Sequence, residues 1–178
     1  LPNVPVTDLL IKHNDLIVAT QGRSFWVLDD LALIRQAKPM ALNGLQFFTP
    51  EPAVIGNWYS GMNAAMAPKA TQDFTGVNPA NGVVFYYHLP EGISDKDIAL
   101  EIRDAKDHVF RRFSGLKDPS YSPYEGAPDP NPVLSLKTGL NRFVWDMKHE
   151  SLPGIPKAYI ETSYSGHKVL AGNYTAIL

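Results

Sequence analysis

From Asp15 to Leu31 the chain reads DLIVATQGRSFWVLDDL, two apolar runs, LIVAT and SFWVL, separated by Gln21-Gly22-Arg23 and closed by Asp29-Asp30. The first run is almost wholly apolar. The second sets Phe25 and Val27 against Trp26 and Leu28, so neither strand has a solvated side. A further strand, VTDLLI, precedes them across a tight turn at Lys12-His13-Asn14. The pattern predicts a three-stranded meander that is apolar on both faces. Such a sheet cannot stand alone in water and must be one layer of a stack, as in a propeller blade. No period of 20 to 50 residues repeats along the chain, so a single blade is expected. The expectation is therefore the C-terminal piece of a longer protein.

Asp30 stands where an N-cap belongs, and Leu31, Ile34 and Arg35 have helical spacing, which predicts a short helix limited by Pro39. Residues 39–82 read as a connector. It holds a strand over Leu45 to Thr49, an extended Pro50-Glu51-Pro52 step, and a polar loop ending in the turn Asn78-Pro79-Ala80-Asn81-Gly82. In residues 83–178 the period of two returns. Val83 to Leu89 is a strong β run. Ile98, Leu100 and Ile102 point inward against Ala99, Glu101 and Arg103, and Val109 to Phe113 completes a hairpin. Ser114 to Pro132 is proline-rich surface loop. Asn141 to Met147, Ala158 to Tyr164 and Tyr174 to Leu178 are further strands, with Gly166 and Gly172 as turn points. About seven short strands predict a β-sandwich. The fold class is thus all-β: terminal propeller-blade strands in residues 1–38, then a connector, then an immunoglobulin-like or fibronectin-like β-sandwich.

Composition narrows the partners. Sixteen basic against eighteen acidic residues give a net charge of -2, which disfavours nucleic acid and anionic membranes. Fifteen prolines and thirteen glycines fit a β-rich chain with many turns. The absence of cysteine excludes disulfides and thiol chemistry. No apolar run is long enough to span a membrane, and any export signal is expected upstream of Leu1.

NVPVTDLLI followed by NDLIVATQGRSFWVLDDL resembles the last blade of the large bacterial sortilin-like proteins, also described as BNR-repeat glycosyl hydrolases. In these an immunoglobulin-like sandwich follows a propeller. NPANGVVFYYHLP, LEIRDAKDHVFRRFS, GLNRFVWDMK and GHKVLAGNYTAIL fit the same arrangement, and the last three resemble the small domain also seen in flagellar-hook capping proteins. The Gly139, Asn141, Trp145 and Asp146 set is a fold signature. The Asp-box Ser-x-Asp-x-Gly-x-x-Trp is absent, since Gly22 to Trp26 is one residue too long and lacks the aspartate. What the resemblance implies is a secreted, periplasmic or cell-surface protein whose other propeller blades, or a companion chain, pack on residues 1–38.

Candidate chemistry is sparse. A glycosidase needs two carboxylates facing each other across roughly 5 to 9.5 Å. Asp29 and Asp30 are adjacent and diverge at a strand end, where they are expected to cap the helix and bind the blade turn. Glu101, Arg103 and Asp104 alternate on a strand face expected to be solvated. His13, His88, His108, His149 and His167 are widely spaced and form no two-ligand motif. Asp95, Lys96 and Asp97 with Asp118 and Asp129 lack the register of a calcium loop. Ser24 has no base at a suggestive spacing. Asn173-Tyr174-Thr175 matches a glycosylation sequon but falls in an expected strand. Tyr121, Tyr124 and the Trp58-Tyr59 pair offer a stacking surface for a peptide or glycan ligand, against the simpler reading that they cover the sandwich. No catalytic, cofactor-binding or metal-binding residue is assigned. The expected role is a non-catalytic structural and interaction region. The alternatives are an accessory domain of a hydrolase whose active site lies in other blades, and a carbohydrate-binding module.

Overall fold

A computed structural model describes residues 3–37, 44–56, 80–94, 98–158 and 163–178. Its strands are all antiparallel and form three sheets of three strands each, so the all-β expectation holds.

The first sheet is the meander: β1 (Val6–Lys12), β2 (Asp15–Thr20) and β3 (Phe25–Leu28), in that order. His13 and Asn14 both take left-handed backbone angles, φ 50° and 65°, the conformation a two-residue hairpin needs to match strand twist. Leu9, Val18 and Trp26 are in register across the sheet, as are Leu10, Ile17 and Val27 one residue along. Because strand side chains alternate, one face carries Leu9, Ile11, Leu16, Val18, Trp26 and Leu28. The other carries Leu10, Ile17, Ala19, Phe25 and Val27.

Helix α1 (Leu31–Gln36) follows at once. Asp30 is its N-cap residue, but its side chain makes no capping hydrogen bond, which corrects the sequence reading. The residue is left-handed, φ 59°, and its carboxylate instead accepts the Tyr86 hydroxyl at 2.7 Å. The orphan amide of Leu31 is satisfied by the Asn14 carbonyl at 2.7 Å, and that of Leu33 by the Asp30 carbonyl. Gln36 then grips Thr49 with both ends of its amide, donating from Nε2 to the carbonyl and accepting from the backbone N–H at Oε1.

The other two sheets share one core. β4 (Gln46–Phe47), β5 (Val83–Leu89) and β8 (Gly139–Trp145) make one sheet, with β5 central. β7 (Val109–Ser114), β6 (Ala99–Arg103) and β9 (Thr175–Ile177) make the other, with β6 central. Phe85, Tyr87, Leu89, Phe143 and Trp145 of the first sheet pack in one cluster with Leu100, Ile102 and Phe113 of the second. The inward positions read from alternation, Ile98, Leu100, Ile102, Phe143 and Trp145, are all buried. The connector strand expected at Leu45 to Thr49 is short and serves as an edge of this unit, with Phe48 buried.

One expected strand is not confirmed. Of Ala158 to Tyr164, residues 159–162 lie outside the described residues, and Ala158, Ser163 and Tyr164 are not in strand. Most of the loop expected at 61–82 also lies outside them. Leu134, outside every strand, is buried, its amide bonded to the Ser114 carbonyl at 2.9 Å. It follows the proline-rich loop, in which no residue from 115 to 132 is buried.

Candidate functional site

Two places stand out, one apolar and one charged. The apolar one is the meander. Every residue of β1 and β3 is exposed, and only Val18 of this sheet is buried. Phe25 is 75% exposed on one face and Leu9 60% on the other. Within the described residues, β1 and β3 also leave their outer edges without a strand partner. Contiguous apolar surface on both sides of a sheet is uncommon for a free-standing protein.

The charged place lies at the end of the two-sheet unit. The β6–β7 register slips between Ile102 and Arg103: Arg111 pairs with Ile102 and Val109 with Arg103, leaving Phe110 as the extra residue. A bulge of this kind re-aims side chains, and here both Phe110 and Arg111 turn inward. Phe110 packs against Trp145, Tyr174 and His149. Arg111 is only 5% exposed, its guanidinium 4.6 Å from the centre of the Phe113 ring. Its Nη1 donates to Asn131 Oδ1 at 3.3 Å, while its Nε is buried and makes no hydrogen bond. No carboxylate among the described residues lies within salt-bridge distance of it. Burial pulls its pKa below the usual arginine range, and the more distant Glu150 and Asp146 pull the other way. Arg111 lines a cavity of about 200 Å³ together with residues that include Asp129, Trp145, Lys148, His149 and Ser165.

The wall of this cavity is held by two segments far apart in sequence. The His149 amide donates to His167 O at 3.0 Å and the Val169 amide to Met147 O at 2.9 Å, with Lys148 and Lys168 bridged between them. Gly166 allows this approach, because a Cβ there would collide with the carbonyls of His149 and Glu150. The imidazoles of His149 and His167 stack with centroids 4.1 Å apart. Two histidines that looked unrelated along the chain are thus neighbours. Burial, with smaller contributions from His167 and Arg111, holds His149 below its ordinary value of 6.5. Lys148 Nζ donates to Ser165 Oγ at 2.8 Å on the rim.

The residues considered from sequence are mostly spent on local structure. Asp104 accepts the amides of Lys106 and His108, which closes the β6–β7 turn and lowers its pKa. Glu101 pairs with Arg103 at 2.8 Å and lies 3.9 Å from Arg112, so this face is an ion-pair network rather than simply solvated. Asp118 binds the backbone and hydroxyl of Ser120. His13 forms the first hairpin turn, and His88 contacts the Gly44 carbonyl. Ser24 is left-handed in the second turn. Tyr121 donates to Pro128 O. The Asn141 amide donates to Lys137 O and Gly139 O at the entry to β8, and Asp146 accepts the Lys148 amide, so both are structural. Asn173 lies exposed in the turn before β9, not in a strand as expected. Asp95, Lys96, Asp97, Trp58 and Tyr59 lie outside the described residues. Among those described, no group of three or more His, Asp or Glu could hold a metal, and no helix is long and apolar enough to cross a membrane.

In the sequence Arg111 is one residue of the expected Val109–Phe113 strand. The signal was present, since in VFRRF it is in phase with the inward Phe113. No family model matches this chain, and neither a curated protein nor a solved structure is significantly similar to it.

Proposed function

We propose that this chain is a non-catalytic structural and interaction region, a propeller-type blade followed by an immunoglobulin-like sandwich. The blade would be covered by neighbouring β-sheets of the same polypeptide, in a protein exported to the periplasm or cell surface. The observation that carries the reading is the meander with large apolar side chains exposed on both faces. A two-fold dimer would cover one face and leave the other in water, because its contact uses the same patch on both copies. Sheets stacked on each side cover both, as consecutive layers of a stack do. The resemblance of residues 3–31 to a terminal blade agrees with this geometry, and the carboxylates spent on turns and ion pairs agree with a non-catalytic role. The test is fluorescence of an apolar-surface dye with the intact chain. Strong enhancement that falls when Leu10, Phe25 and Val27 are replaced by serine supports the reading. A dye-silent chain, or turnover of aryl glycosides lost on substituting one carboxylate, contradicts it.

A further inference from the structure

We propose that the cavity beside Arg111 is a binding site for a carboxylate, contributed by a partner or small ligand of the two-sheet unit. This goes beyond the blade reading and does not rest on it. A guanidinium stays charged at all physiological pH values, so burying one without an opposite charge in contact carries a large desolvation penalty. Proteins avoid such burial unless the charge is paired or used. Here the only hydrogen bond among the described residues goes to a neutral amide, Asn131 Oδ1, at 3.3 Å, and Nε is left with no acceptor. The cavity, at about 200 Å³, is several times the roughly 30 Å³ share of one water in the liquid, so it has room for a small anion as well as for water. The guanidinium is a planar fork of donors whose geometry matches the two oxygens of a carboxylate. Phe113 under the guanidinium and the Phe110 bulge beside it fix the plane of that fork. Lys148, held on the rim by Ser165, lies 4.0 Å from Asp146 and is largely offset by it, while Asp129 on the same wall would repel a doubly charged anion more than a singly charged one. Carboxylate is therefore favoured over phosphate.

The experiment is nuclear magnetic resonance of the arginine Nε–H groups in the intact chain at constant ionic strength. Acetate should shift the Arg111 resonance saturably. N-acetylalanine, the α-amide of N-acetylglutamate and glucuronate tell a main-chain carboxylate from a side-chain one and from a sugar acid. N-acetylalaninamide should have no effect, and inorganic phosphate should bind at least several-fold more weakly. Arg111→Lys should lose about tenfold or more in affinity, and Arg111→Met should lose saturable shifts elsewhere in the site. A wild-type resonance that moves only linearly, an amide as effective as the acid, tighter phosphate binding, or a folded Arg111→Met chain that still binds acetate would each overturn the proposal. The acid–amide comparison on the wild-type chain decides the matter even if the variants fail to fold.

Discussion

Tyr86, on the central strand of one sandwich sheet, donates its hydroxyl to Asp30 Oδ2 over 2.7 Å, at the point where the meander ends and α1 begins. This bond ties the first unit to the second. Burial and the Asp30 carboxylate both raise the Tyr86 pKa, so the hydroxyl stays a donor over the physiological range. Tyr86→Phe removes a charge-assisted but partly exposed hydrogen bond and should cost about 1 to 2 kcal/mol. Asp30→Asn should cost about as much, and the double variant little more than either alone. A double-mutant cycle by urea unfolding checks this, with independent, additive losses as the contrary result.

Trp145 is the second test. It is buried between Phe110 and Tyr174, and its indole N–H donates to Lys148 O at 3.0 Å. Trp145→Ala should cost about 3 to 5 kcal/mol, a large fraction of ordinary domain stability. Trp145→Phe keeps most of the packing but strands the carbonyl, for a loss of about 1 to 3 kcal/mol. Thermal and urea melts measure both. A melting shift of a degree or two for the alanine variant would mean the residue is peripheral.

The same two cases show what could be read from the chain. Ile98, Leu100, Ile102, Phe143 and Trp145 were legible because a strand buried on one side writes its burial as a period of two. The β6–β7 hairpin is legible for that reason, and Val83–Leu89 as a near-continuous run of β-branched and aromatic residues. The charged site was not. Phe110 joins Arg111 on the inward side only because of a bulge, and a bulge breaks the period by which facing is read. His149 meets His167 through long-range pairing that no local pattern encodes. Asp30 occupied the expected position, but its left-handed backbone and the distant Tyr86 redirected its side chain.

Gly166 offers a third test. Adding one methyl group there should push the 165–169 segment away from Met147–Glu150, because the atoms in its way are backbone carbonyls with no rotamer to escape into. Gly166→Ala should destabilise by about 1 to 3 kcal/mol and accelerate hydrogen exchange at the His149 and Val169 amides. Unchanged exchange at both would show that the close approach is not needed.

The stacked histidines make stability depend on pH. His149 is held below its ordinary 6.5 in the folded chain, so as pH falls the unfolded chain takes up the proton first. Its contribution is therefore fully present above about pH 6.5 and is lost progressively as pH falls through the folded value. The neighbouring His167 and Arg111 act in the same direction. The melting temperature should drop between about pH 7 and pH 5 by more in the wild type than in His149→Gln. Equal drops would place the acid sensitivity in other groups.

The need of the meander for cover is tested by light scattering. Burying four exposed side chains such as Leu9, Leu10, Phe25 and Val27 stabilises by at most roughly 6 to 12 kcal/mol, enough to drive association when no neighbour is supplied. The intact 178-residue chain should self-associate with rising concentration, while a chain beginning at Met40 should stay monomeric over the same range. If both remain equally monomeric and neither binds an apolar-surface dye, the two faces of β1 to β3 need no partner and the blade account is wrong.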